Sequence, residues 1–443
     1  MNPASWTIFC DSSELAVVLA QDARDLGLAV QTEVIALPAE LTALPRPARA
    51  ALALQHAPTL AQWATWARAG GVDGPPRPVL SLGATPRQLA FAADLGVPCT
   101  HDVRAFIPLL AALQLHPAPI GTSAVRTLSA VTRARLGPAL ALPVPPAGGR
   151  ATWSAAAGDQ LQLGFGEAQV CVGRPESAAA ALLALHAAQP THLATLPRDR
   201  TAQERAQELL FGPARALSDP ASKAVLALYG LTLPTEELCQ SPSRAAAEAS
   251  RLGFPVRLTL ASPDLRLSDH PALVIEGIDN AARVRESYRA LQDYARSLSA
   301  DARVLGVLVG EATMTRALLR VQVEAIDADT VAVQLGFADA HGVAADDCIL
   351  TPFPQDRQTF SRALTRLRAH ALLGAPGEDA AQVHAGLFDC LCRLATFARD
   401  FGPQVDRVIL DPLALGLDCR SEVRDARIDI NNFFARSLED DLL

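Results

Sequence analysis

The chain is almost without lysine. Of its 39 basic residues only Lys223 is a lysine and every other is arginine, so any mechanism that needs two lysines is excluded. The arginine bias accompanies an abundance of Ala and Pro, as GC-rich codon usage produces. Aromatic residues are 5% of the chain, so the core must be aliphatic, built on Ala, Leu and Val. Charged residues are 19%, and no uncharged apolar run reaches the roughly 18 residues of a membrane span. The N-terminus lacks a basic stretch and meets Asp11 and Glu14 too early for a secretory signal. None of the eight cysteines forms a CxxC pair, and Cys390 and Cys392 point about 200° apart on a helix. Buried, reduced thiols in a cytoplasmic protein are expected. The nine histidines show no HxH or HExxH spacing, which gives zinc no support. A net charge of −8 lacks the basic footprint of a nucleic-acid binder.

What is present is apolar. Half of the 443 residues are hydrophobic, ample for roughly three compact units at about 150 residues each. Over about 1–118, strand-like Ser5–Cys10 and Arg77–Leu82 alternate with helical Glu14–Leu26, Leu60–Arg68, Pro86–Leu95 and a helix from Asp102 to Leu115. That alternation predicts a doubly wound parallel sheet, with Leu80, Leu82, Val97 and Phe106 in its core. A Pro-rich linker, Leu142–Gly149, leads into a small unit with strands at Asp159–Leu163 and Ala168–Val172 and helices at Ser177–Ala188 and Ala202–Leu210. The domains expected are therefore 1–118, a linker and small α+β unit at 119–212, and 213–443.

The third segment is the most legible. Asp219 and Pro220 open a helix that carries Lys223 and stops at Gly230, and Lys223 reads as a solvated helix lysine. Ser241 caps a helix to Leu252, Phe254–Ala261 is a strand, and Asp279 caps a helix to about Ser297. Arg303–Val309, Ala317–Glu324 and Thr330–Leu335 are further strands. Period-two alternation puts Arg257, Thr259 and Ala261 on one face, where the planar fork of Arg257 suits a phosphate; the plain alternative is a surface arginine at a strand end. His101, with no partner in sequence, reads as a capping or surface residue, and Leu438–Asp441 as a solvated tail.

Several motifs here are similar to the ATP-grasp part of ADP-forming acyl-CoA synthetases, the acetate–CoA ligase and succinyl-CoA synthetase relatives. They are Ala221-Ser-Lys223 with Leu228-Tyr-Gly-Leu231, Gly253-Phe-Pro-Val256, Ser262-Pro-Asp264 with Ser268-Asp269, Gly306-Val-Leu-Val309, Asp411-Pro-Leu413 and Asp425-Ala-Arg-Ile428. The first segment, through Arg77–Leu80, Gly83, Gly96-Val-Pro98 and Ser12-Ser13, resembles the flavodoxin-like CoA-ligase domain of the same enzymes. The resemblance implies an α/β protein, a flavodoxin-like parallel-sheet domain followed by an α+β ATP-grasp domain. It implies ATP and Mg as cofactors, with CoA, and activation of a carboxylic acid through an acyl phosphate.

The departures bear on chemistry, because phosphoryl transfer depends on cations and metal around the moving group. The family's strand lysine is Thr259 here, its His-Lys pair is Arg266 and Leu267, and its double glycine gives way to His270, Pro271 and Ala272. A metal-binding carboxylate falls on Ala317, and the late acid and asparagine fall on Ile409 and Asp411. The resemblance thus leaves Arg257, Thr259, Arg266 and the Val309 backbone as nucleotide-binding candidates and Asp411 as the one metal ligand, an alternative to its being an ordinary turn residue. It leaves ATP and Mg binding weak or lost. No histidine occupies the motif that carries phosphate in the family, so a homodimer or a hetero-complex with a CoA-binding subunit is expected, CoA binding only with that partner. Three functions stay open: an acid–thiol ligase component, a degenerate regulatory or scaffolding subunit, and a ligase retuned to another acceptor.

Overall fold

The computed structural model describes residues 5–35, 49–69, 77–115, 151–155, 161–165, 168–188, 196, 199–210, 216–265, 267, 269–338, 347–374 and 378–431. The Pro-rich stretch 142–149, Arg266 and the tail 438–441 lie outside them. The chain divides into two compact units, 1–192 and 193–443.

The first unit runs β1 (Trp6–Cys10), α1 (Ser13–Asp25), β2 (Val30–Val34), β3 (Ala50–Leu54), α2 (Leu60–Ala69), β4 (Val79–Ser81), α3 (Pro86–Asp94), β5 (Cys99–Thr100) and α4 (Val103–Leu115). Then come β6 (Ala151–Ala155), β7 (Leu161–Phe165), β8 (Ala168–Gly173) and α5 (Pro175–Ala187). The parallel sheet has the order β2-β1-β3-β4-β5, as the strand–helix alternation predicts. Leu80, Val97 and Phe106 are buried in this unit, but Leu82 is 40% exposed, because it stands one residue past the end of β4.

Residues 151–188 belong to this unit rather than to a separate one. The segment Ala105–Leu113 has no polar residue and is buried throughout. A helix apolar on all sides needs cover on all sides. Leu161, Val172, Ala178, Ala181 and Leu185 supply it, sharing one core with Phe106, Leu109, Leu110 and Ile8.

The second unit runs α6 (Arg200–Leu210), α7 (Asp219–Leu228), β9 (Glu236–Cys239), α8 (Pro242–Leu252), β10 (Val256–Ala261), β11 (Val274–Ile278), α9 (Ala281–Leu298), β12 (Gly306–Glu311), β13 (Thr315–Ala325), β14 (Val331–Phe337) and β15 (Cys348–Phe353). It ends with α10 (Arg357–Leu364), α11 (Glu378–Asp400), β16 (Val405–Gly416), β17 (Ser421–Val423) and β18 (Ala426–Ile430). Asn280, one residue after the expected Asp279, caps α9 through Arg283 N.

Two lobes with separate cores make up this unit. In the smaller, the antiparallel sheet β11-β10-β12-β9 packs one face on α8 and α9, through Val256, Leu258, Leu260, Val307, Val309, Ala246 and Tyr288. In the larger, β15-β14-β13-β16-β17, with β18 also on β16, packs against α10 and α11 through Val321, Val333, Phe360, Leu391 and Phe397. All six residues of β10 are buried, so its Arg257–Thr259 face is covered as well. A strand with an apolar face and a polar face, both buried, marks where a charged side must find partners inside the protein.

Among the described residues, no helix is long and apolar enough to cross a membrane.

Candidate functional site: a charged network between two lobes

The site grows from the first turn of α7. Ser218 precedes the helix, Asp219 opens it, and Lys223 stands one turn on, on the same face. Lys223 is not solvated: it is 4% exposed. Its Nζ donates to Asp219 Oδ2 at 2.8 Å, to Glu236 Oε1 at 2.5 Å and to the Arg424 carbonyl at 2.7 Å. Three acceptors match the three donors of an ammonium. Helix α7, strand β9 and the turn between β17 and β18 therefore meet on one nitrogen. Burial alone would lower this ammonium's pKa, but the carboxylates of Asp219 and Glu236 outweigh it and hold Lys223 above its ordinary value.

Glu236 carries the network onto the smaller lobe. Its Oε2 accepts from Arg257 Nη2 at 3.5 Å, across β12. Gly310 is the β12 residue opposite both Arg257 and Glu236. A Cβ there would stand 3.2 Å from Glu236 Cβ and 3.6 Å from its Oε2, so the glycine leaves room for the pair. Arg257 is 4% exposed, and the strand-end surface arginine is set aside: its face of β10 is covered.

Arg424 is the third buried cation. Its Nη2 donates to the Thr313 carbonyl at 2.9 Å and to Thr313 Oγ1 at 2.6 Å, and its Nη1 meets Glu276 Oε1 at 3.3 Å. Glu422 Oε1 lies 3.7 Å from its Nε. Thr313 follows β12, whose Glu311 pairs with Val256, and Glu276 lies in the irregular stretch of β11 between the partners of Val256 and Leu258. Arg424 thus reaches the end of the small sheet that carries Arg257. Burial, and then the like charge of Arg257, pull its pKa below the ordinary guanidinium value.

Behind these cations, Asp219 Oδ1 accepts from Ala426 N at 2.8 Å. Burial, and then the adjacent Asp219, push Asp425 well above the ordinary carboxylate range. A carboxyl raised in the folded state contributes stability that is complete below its unfolded value of about 3.8 and is lost as pH rises through its folded value. The wild type should therefore lose stability as pH rises from 4 toward neutral by more than Asp425→Asn does, because asparagine keeps a donor toward Asp219 without titrating. Urea unfolding of both proteins across that range checks this; parallel curves would contradict it.

The other sequence candidates fall as follows. Thr259 is buried on the Arg257 face, two residues along β10, and supplies a neutral hydroxyl where a lysine is implied. Val309 points into the small-lobe core, and its strand pairs on both sides, opposite Leu258 and Glu237. Asp411 does not stand open: Arg320 Nε from β13 donates to its Oδ2 at 2.7 Å. Burial raises the Asp411 carboxyl, with Arg320 pulling the other way. Among the described residues, no three His, Cys, Asp or Glu side chains converge on a point that could hold a metal. Magnesium needs several hard oxygens in octahedral array, and the one nominated here carries a guanidinium. Glu236, Glu276 and Arg424 escaped the sequence reading. For Arg424 the signal was its place directly before the Asp425–Ile428 motif.

This unit is two-lobed and α+β, and the polar face of its small sheet is buried on the charged network that joins the lobes. Residues 210–430 match the ATP-grasp domain family, and this stretch of the chain is an ATP-grasp domain. Its homologues include beta subunits of ADP-forming acetate–CoA ligases from Pyrococcus furiosus. The subunit of isozyme II is 25% identical over 214 residues, spanning 47% of this chain and 88% of that one. The subunit of isozyme I is 22% identical over 213 residues, spanning 46% and 91%. A 4-hydroxybutyrate–CoA ligase (ADP-forming) from Nitrosopumilus maritimus is 23% identical over 218 residues, 48% of this chain and 31% of that one. Among solved structures, a Pyrococcus horikoshii protein aligns over 53% of this chain and 99% of its own at 22% identity and a TM-score of 0.45. A dinucleotide-forming acetyl-coenzyme A synthetase from Ca. Korarchaeum cryptofilum, solved with coenzyme A and Ca-AMPCP, aligns over 53% and 100% at 20% identity and a TM-score of 0.45.

Proposed function

We propose that this chain is a non-catalytic, regulatory or scaffolding subunit of an ADP-forming acyl-CoA synthetase-type assembly, built on an ATP-grasp domain whose phosphoryl-transfer apparatus has been neutralised from within. The homology supports the assembly class. The observation that carries the non-catalytic reading is the charged network itself: Lys223 and Arg257, which could meet phosphates, are buried on Asp219 and Glu236, and Arg424 is held by Thr313 with Glu276 at the rim. A cation already held by a buried carboxylate offers a phosphate only the difference between two charge-assisted bonds.

The metal side agrees. Asp411 is held by Arg320, and among the described residues no three His, Cys, Asp or Glu side chains gather around it, a donor set that does not fit magnesium. Thr259 cannot stabilise developing negative charge as a cation does. The relatives named as beta subunits support partnership with a second, CoA-binding chain or a second copy of this one.

The test is an assay of the purified chain with ATP, Mg, CoA and short carboxylic acids, read as ADP and acyl-CoA formed. No turnover is expected from the chain alone. A protein that makes acyl-CoA unaided would overturn both the non-catalytic reading and the need for a partner; light scattering would report the oligomer.

A further inference from the structure

The smaller lobe is one uninterrupted stretch of chain, residues 236–311, running from β9 to β12. The chain enters it through residues 231–235 and leaves it through 312–314. Its core shares no residue with the core of the larger lobe. A body with its own core, tied to its neighbour by short connections and polar contacts, turns freely unless something holds the connections.

One dipeptide holds both. Val423 N donates to the Thr232 carbonyl at 2.9 Å, on the entering connection. The Arg424 guanidinium donates to the Thr313 carbonyl and to Thr313 Oγ1, on the leaving one, and its Nη1 reaches Glu276 of β11 within the lobe. The dipeptide itself is fixed to the larger lobe. Val423 pairs with Leu413 of β16, and Arg424 N donates to the Pro412 carbonyl at 3.1 Å. The Arg424 carbonyl accepts from Lys223, whose Nζ also holds Glu236, the first residue of the smaller lobe. Arg424 is buried, so water competes little for its fork. At the far end of β10, by contrast, Arg427 Nη1 meets the Pro263 carbonyl only at 3.4 Å.

We propose that Val423 and Arg424 form a clasp across the hinge of the smaller lobe. While it is made, the lobe is held against the charged network. When the Arg424 side chain lets go of Thr313, the lobe swings as a body on its two connections and uncovers the Arg257–Thr259 face of β10. No covalent bond forms or breaks. The inference stands apart from the non-catalytic reading, because the hinge and its clasp are there whether or not the chain turns over substrate.

The experiment uses the full chain without nucleotide or CoA. Thr259→Cys places a thiol on the covered face, where the native residue is 4% exposed. Cys239, the single native cysteine of 236–311, is buried in the smaller lobe's core and reports unfolding of that lobe. Pulsed alkylation under native conditions, read peptide by peptide by mass spectrometry, follows both thiols in Thr259→Cys alone and combined with Arg424→Met or Thr313→Val. Alone, both thiols should label slowly. Arg424→Met should speed labelling of the introduced thiol about 10- to 150-fold, the span of one lost charge-assisted bond, when labelling tracks the open population. Thr313→Val, which spares the carbonyl bond, should speed it about 2- to 12-fold, the span of one ordinary hydrogen bond. Cys239 should stay protected throughout. Three results would each overturn the proposal: an introduced thiol that labels at the rate of a free one before the clasp is touched, a rate that neither substitution changes, or Cys239 labelling that rises in step in Thr313→Val. If Arg424→Met unfolds the lobe and labels both thiols, Thr313→Val decides alone. Neither ATP nor CoA enters, so the turnover assay stands on its own.

Discussion

Replacing Lys223 by methionine should destabilise the second unit by about 3–5 kcal/mol, the cost of removing one partner from a buried ion pair. The side chains of Lys223, Asp219 and Glu236 are 6%, 10% and 8% exposed, so solvent screens little of this. The loss comes mainly from the two carboxylates left facing each other, with Asp425 beside them, rather than from the lysine's own contacts. The double variant Lys223→Met/Glu236→Gln should therefore recover part of the loss, since it removes one stranded charge. Urea unfolding of both proteins measures the recovery, and a single variant within 0.5 kcal/mol of wild type would refute the buried pair, since about that much is ordinary for a surface change. Linkage sets the alkaline limit. Because Lys223 is held above the ordinary lysine value of 10.5, its contribution is complete below that value and is lost as pH rises through the folded one. The gap between wild type and Lys223→Met should hold through neutral pH and close only in strong alkali.

The affinity for Mg-ATP should be millimolar or weaker. Each charge-assisted contact to a phosphate that is missing costs about 1.5–3 kcal/mol, or roughly 10- to 150-fold. Thr259 and Leu267 are neutral where the family resemblance implies cations, and Asp411 is engaged by Arg320. Two such losses multiply to about 10²- to 10⁴-fold, enough to carry a micromolar site into the millimolar range. Calorimetry with Mg-ATP decides it. Micromolar binding that survives Arg257→Ala would contradict the argument, and Thr259→Lys should tighten binding if the buried face opens to nucleotide.

Local signals carried the fold further than the site. The alternation in Val256–Ala261 gave β10 and its two faces, and Asp219-Pro220 with Gly230 gave α7 within a residue. The alternating strands and helices of residues 5–115 gave the parallel sheet. Legibility ended where partners are distant in sequence. Nothing local distinguishes Lys223 from a solvated helix lysine; its second carboxylate arrives from β9 and its carbonyl from position 424, 201 residues away. Arg257 was placed on the right face of β10, but whether that face is open depends on elements it does not border in sequence. The placement of residues 151–188 was missed for a different reason. The unbroken apolar stretch Ala105–Leu113 was visible, but the strands that cover it looked self-sufficient when read alone.

The burial of Lys223 also changes what the protein looks like to a reagent. With one lysine in the whole chain, and that one sealed between two carboxylates and a carbonyl, the folded surface offers amine-seeking electrophiles no lysine side chain. Acylation by reactive acyl donors, dye labelling and amine cross-linking find no lysine side chain to react with. A lysine-specific protease has one place to cut, and it is reached only when α7 leaves the larger lobe. Arginine, always protonated and poorly nucleophilic, carries the positive charge everywhere else. A protein made this way can sit beside acylating chemistry with its one lysine out of reach.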